Sequence, residues 1–192
     1  MTLRWDTRSR VSTYTQSWLG GEPDFGAYES IGTITVGSGG LSSVGFSGIP
    51  QTYKHLQLRI MDRNPSGEYI SLRMTFNGDS SALYTSHELY GSGAAAGSTG
   101  TASTTYLVPF LVAPASATGV FGVGVCDILD YTNTNKFKTM RALTGYDANG
   151  SGYVELVSGV WRDTTAISSL TIVPNAGTMA QYSQFALYGI KG

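Results

Sequence analysis

The sequence predicts an all-β fold, an antiparallel sandwich or jelly roll of about ten strands. Three observations predict it. Several segments alternate apolar and polar residues with a period of two, the pattern of a strand with one buried and one wet face. Turn-forming clusters interrupt the chain at short, fairly regular intervals. No segment carries a sustained helical period.

In chain order, Ile34 and Val36 flank Thr35, and Leu56, Leu58 and Ile60 alternate with Gln57 and Arg59. Ile70, Leu72, Met74 and Phe76 alternate with Ser71, Arg73 and Thr75. The turn cluster at 62–68 between the last two runs predicts that they pair as an antiparallel hairpin. Further strands are expected over Tyr84–Tyr90, Thr104–Val112, Val120–Leu129, Lys136–Gly145, Tyr153–Val160, Ser168–Val173 and Ser183–Ile190. Val120–Leu129 is nearly continuous in apolar residues, so a central position buried on both faces is expected. The Gly, Ala and Ser tract over 91–100 reads as a flexible loop.

Residues 1–27 differ from the rest. They show neither period, and they carry Arg4, Trp5, Arg8, Arg10, Tyr14, Trp18 and Phe25 ahead of and beside the breaker cluster Gly20-Gly21-Glu22-Pro23-Asp24. An aromatic-dotted segment without a period buries too little to fold alone. The expected organisation is an extended N-terminal arm over 1–27, used for docking or for contact between subunits, and a β-sandwich over 28–192.

Composition narrows the function. Only 13% of residues are charged and the net charge is −1, so no global field draws the chain to nucleic acid or an anionic membrane. No run approaches the roughly 18 apolar residues of a membrane span. The N-terminus has no apolar signal core, which predicts synthesis in a cytoplasm without a secretory leader. Cys126 is the only cysteine, which excludes an intrachain disulfide and thiolate-cluster metal sites.

Catalytic patterns are sparse, and the expected reading is a non-enzymatic protein without cofactors. His55 and His87 lie far from each other and from Cys126, without zinc-ligand spacing. No strand-to-helix Gly-x-Ser-x-Gly is present, and no Gly-rich tract ends in a phosphate-binding Lys-Ser/Thr. Asp127 and Asp130, three apart, fall on opposite faces of a regular strand. They are expected to end a strand and to accept bonds from turn amides, Lys136, Lys138 or Arg141. Asp147 and Asn149 begin as a calcium loop does but lack the third acid and the closing Glu. The Asn149-Gly150 pair reads as a hairpin turn.

Twelve tyrosines are a high count for so weakly charged a chain. Tyr joins an apolar ring to a polar tip, which suits interfaces and sugar stacking. Tyr84, Tyr90 and Tyr106 are the residues this predicts for a partner or glycan surface.

The segment Phe46-Ser47-Gly48-Ile49-Pro50-Gln51-Thr52-Tyr53-Lys54-His55-Leu56-Gln57-Leu58-Arg59 resembles one found in virion proteins of tailed phages, β-sandwich modules known as structural or minor tail proteins. Tyr28-Glu29-Ser30-Ile31, Phe76-Asn77-Gly78-Asp79, the stretch from Asp127 to Lys136, and the ending Phe185–Gly192 extend the resemblance over residues 28–192. It implies a structural virion component at the tail, baseplate or fibre, with a head decoration or cement protein as the alternative. A carbohydrate-binding module for a host surface glycan is the further alternative. The implied partners are other virion proteins and further copies of the chain, with a trimer favoured. The resemblance carries no catalytic residues to this chain, and residues 1–27 lie outside it.

Overall fold

The fold is that of a computed structural model, which describes residues 27–67 and 70–192. Twelve strands follow one another: β1 Tyr28–Thr35, β2 Val44–Ser47, β3 His55–Asp62, β4 Ser71–Phe76, β5 Tyr84–Gly91, β6 Ala96–Thr104, β7 Leu107–Leu111, β8 Gly122–Leu129, β9 Lys138–Asp147, β10 Gly152–Trp161, β11 Ser169–Pro174 and β12 Gln184–Ile190. No helix occurs among the described residues. The arm residues Arg4, Trp5, Arg8, Arg10, Tyr14, Trp18 and Phe25 lie outside them.

The strands form an eight-stranded sheet, β1-β12-β3-β8-β9-β10-β5-β6, and a four-stranded sheet, β2-β11-β4-β7. Every strand pairing is antiparallel. Setting aside β5, β6, β9 and β10 leaves four strands in each sheet, in the interleaved order of a jelly roll. The other four are two insertions that meet: β10 pairs with β9 on one side and β5 on the other. They carry the larger sheet well past the smaller one.

Period-two alternation builds the core. Leu56, Leu58 and Ile60 of β3, Cys126 and Ile128 of β8, and Phe185 and Leu187 of β12 point inward from the large sheet. Leu72, Met74 and Phe76 of β4 and Leu170 and Ile172 of β11 meet them from the small one. Gly124 is required by this packing. A Cβ there would lie 2.5 Å from the ring of the buried Phe110, closer than van der Waals contact allows.

Three expectations are corrected. β3 and β4 do not form a hairpin; they lie in different sheets, as successive strands do at each crossing of a jelly roll. The tract at 91–100 is not simply a loop, because β6 occupies Ala96–Thr104. Its glycines receive the rings of β5: a Cβ at Gly97 would sit 2.5 Å from the Tyr90 hydroxyl, and one at Gly100 would sit 3.1 Å from the His87 ring. Aromatic cover of this kind supports a Gly-rich edge. β8 is central, but it is buried on one face only, since Val123 and Leu129 are exposed.

Candidate functional site

Over β3, β8, β9 and β12 the inner face of the large sheet is buried by the core. No described element covers its outer face. Cross-strand register aligns two rows there: Met61, Val123, Gly145, Val154 and Gly91, then Arg59, Val125, Leu143, Leu156, Leu89 and Ser98. Val123 is 58% exposed, Leu89 58%, Val154 56%, Leu143 53%, Leu156 47% and Met61 40%. Scattered apolar residues on a surface are ordinary, but a contiguous stripe across strands marks an interaction surface. Burying the exposed part of each such side chain is worth on the order of 1 kcal/mol.

The stripe contains a groove of about 830 Å³. Val123, Val125, Leu143 and Val154 floor it, and the turns at 91–93 and 150–152 border it. Gly145 and Gly91 place no side chain in the first row, which lowers the floor there. A second groove continues across the same face beside His87, Leu89, Ser98, Arg141, Leu156 and Ser158.

Arg59 bounds the stripe and is held firmly. Its Nε donates to Gln57 Oε1 at 2.7 Å, and Gln57 Nε2 donates to Asp127 Oδ1 at 2.8 Å. Its guanidinium also lies over the rings of Tyr188, at 5.0 Å, and Tyr28, at 5.5 Å. One border of the apolar stripe is thus a fixed polar network with a positive end.

The tyrosines expected to form a partner or glycan surface do not come together. Tyr84 is completely buried; its hydroxyl donates to Asp79 O and accepts from the Phe76 amide, each at 3.1 Å. It is a core residue because its polar tip has backbone partners inside. Tyr106 lies beyond the other end of the β5–β6 ladder from Tyr90, and the Arg73 guanidinium covers its ring at 4.4 Å. Tyr90 joins Tyr153, at 6.4 Å between ring centroids, and Tyr153 joins Tyr146 at 6.2 Å.

Beside this trio the inner face carries two carboxyl groups that sequence reading did not single out. Glu155 is opposite Tyr90, and Glu88 is opposite Val157, so the two acids are diagonal neighbours on adjacent strands. Burial pushes Glu155 up to about 7, and the charge of Glu88 adds to it; burial also raises Glu88. They lie 67 positions apart in the chain, and no local motif marks the pair.

Asp130 behaves as the expected strand-end residue, but Asp127 does not: it lies inside β8 and accepts from the Gln57 side chain on β3 rather than from a turn amide or a lysine. Lys136 and Lys54 pair with Asp130, Lys54 at 2.9 Å, and they hold its carboxyl down at about 2. His55 Nδ1 accepts the Asp130 amide at 2.9 Å. Lys138 does not serve these acids. It is buried, and its ammonium donates to the carbonyls of Asn133, Thr164 and Lys136, tying two loops to the start of β9. Asp147 Oδ1 accepts the Gly150 amide at 3.0 Å, and Asn149 and Gly150 both have positive φ. This is the hairpin turn expected of Asn-Gly. No group of three or more His, Cys, Asp or Glu side chains placed to hold a metal occurs among the described residues, so Asp147 and Asn149 gain no third acid.

Cys126 is buried 3.6 Å from Met140 Sδ, and burial raises its thiol pKa. No helix among the described residues is long and apolar enough to cross a membrane. The fold defines the described residues as a jelly-roll β-sandwich with two inserted strand pairs. A scan against protein-family models finds no match, and a search of curated proteins finds no relative.

Proposed function

We propose that this chain is a non-enzymatic structural subunit of a tailed-phage virion, belonging to the tail, baseplate or fibre. It would assemble with other virion proteins and with further copies of itself. The observation that carries the assembly role is the apolar stripe on the outer face of the large sheet, which leaves Val123, Leu143, Val154, Leu156 and Leu89 exposed on one side of the molecule. The sequence resemblance over 28–192 supplies the virion assignment. The arm over 1–27, with its arginines and aromatics, is the second docking element in this reading.

The test replaces the wild-type chain in assembling particles with Leu89→Lys/Leu143→Lys. Both side chains are exposed, so stability should move by no more than about 0.5 kcal/mol each, read by thermal unfolding. Occupancy in purified particles should fall at least tenfold. Deletion of residues 2–24, run alongside, should do the same. Normal occupancy of the lysine variant removes the stripe from the docking surface, and normal occupancy of the deletion removes the arm. A particle reconstruction locates the wild-type chain; density on the head would replace the tail reading with the decoration one.

A further inference from the structure

The two sheets have four edges, and three are guarded against pairing with another chain. β1 is interrupted by a bulge between Ser30 and Gly32 and carries Glu29. β2 has only four residues. β7 has five, with Pro109 among them. Short strands, bulges, charges and proline are the devices by which proteins protect an edge.

β6 is different. It has nine residues, Ala96-Gly97-Ser98-Thr99-Gly100-Thr101-Ala102-Ser103-Thr104, nearly all exposed, with no charge and no proline. Its one irregularity falls near its end, where the register with β5 shifts between Tyr84 and Ser86. From Ala96 to Thr101 it runs in regular register against β5. Alternate amides and carbonyls over that stretch face away from the sheet, spaced to receive another strand.

We infer that β6 pairs antiparallel with β6 of a second copy of this chain, joining two eight-stranded sheets across a two-fold axis. Self-pairing requires a strand that tolerates itself. Uncharged Ser, Thr, Ala and Gly put no like charges opposite each other, and facing Thr and Ser side chains favour the pair. The geometry also extends the apolar surface. The row Leu143, Leu156, Leu89 reaches β6 at Ser98. A two-fold axis perpendicular to the sheet therefore sets both stripes on the same side of one continuous sheet. Such a contact is isologous and closes at two copies. The inference does not depend on the virion reading.

The experiment uses the full chain. Sedimentation velocity should give twice the 20.4 kDa chain mass at high concentration. Amide hydrogen exchange within 96–101 should slow as concentration rises and the dimer fills. Ser98→Lys/Ala102→Lys places like charges across any antiparallel register centred on this stretch. It should weaken self-association at least tenfold while leaving the melting temperature of the domain in place. A wild-type chain that stays at 20.4 kDa at about 100 μM overturns the inference. So does an oligomer of any size that the lysine variant leaves intact, or exchange at 96–101 that ignores concentration.

Discussion

Replacing Trp161 with alanine is expected to destabilise the domain by about 3–5 kcal/mol, the range for removing a buried large aromatic. Trp161 ends β10 and is 2% exposed. Its ring stacks on Tyr84 at the start of β5, at 6.2 Å and 14°, and meets Phe76 at the end of β4 at 5.7 Å and 51°. These three side chains therefore fasten both strand insertions to the small sheet. Trp161 Nε1 also donates to Asp79 Oδ2 at 2.6 Å. Burial opposes the charge of Asp79, but the Ser81 hydroxyl and amide outweigh it, and the Trp161 indole adds to them, so the carboxyl stays below its ordinary value. The variant leaves both a cavity and a carboxylate short of a donor. Thermal unfolding should show a melting temperature lower by roughly 10 °C. A fall equivalent to under 1 kcal/mol would show that the insertions are held elsewhere.

Asp62 provides the second large effect, and its sign is opposite. It ends β3, at the start of the turn cluster over 62–68, and it is 0% exposed. Neither carboxyl oxygen has a hydrogen-bond partner of normal geometry among the described residues. Burial pushes its pKa up to about 6 from 3.8, with Ser183 and the Arg63 amide opposing only part of the rise. The folded state therefore keeps this proton where the unfolded chain has lost it. Stability from Asp62 is fully present below about pH 4 and is lost as pH rises through about 6. The loss by pH 7 is about 3 kcal/mol, at about 1.4 kcal/mol per tenfold change in proton affinity.

Asp62→Asn has no charge to bury. It should be more stable than wild type at pH 7 by about 1–3 kcal/mol, since the new amide spends part of the gain on its own unpaired donors. The two proteins should converge as pH falls to 4. Paired denaturant titrations between pH 4 and 8 measure this, and the difference cancels the other carboxyls that burial raises, Glu88 and Glu155. A variant less stable at pH 7, or a difference that does not change with pH, would show that the buried carboxylate is compensated.

The strands were legible wherever the apolar side chains alternated. β4 reads Ser71-Leu72-Arg73-Met74-Thr75-Phe76 and is buried at every second residue, as the pattern requires. β6 was illegible for a physical reason. Ala, Gly, Ser and Thr bury almost nothing, so no apolar period exists to read; the strand forms because its backbone pairs with β5 and the rings of Tyr90 and His87 lie over its glycines. β2 was missed because four residues are too few to establish a period. Tyr84 was misplaced among surface tyrosines because its partners, the Phe76 amide and the Asp79 carbonyl, come from the preceding turn, and the packing that buries it comes from Trp161.

The candidate site was less legible than the fold. Val123, Leu143, Leu156 and Leu89 each fit the outward phase of their own strand, but the sequence treats every apolar residue as a candidate for burial. Their exposure follows from the extent of the large sheet, whose outer face no described element covers. Glu88 and Glu155 become neighbours through the β5–β10 register alone.

By itself, then, the sequence determined the class: an antiparallel β-sandwich, because alternation and turn spacing are local properties of the chain. Only the tertiary structure decided which strands share a sheet, that β3 and β4 part company, and that two insertions meet to build an apolar face that no described element covers. Those outcomes depend on hydrogen bonds between segments distant in the chain, and such pairings leave no local mark in the residues that make them.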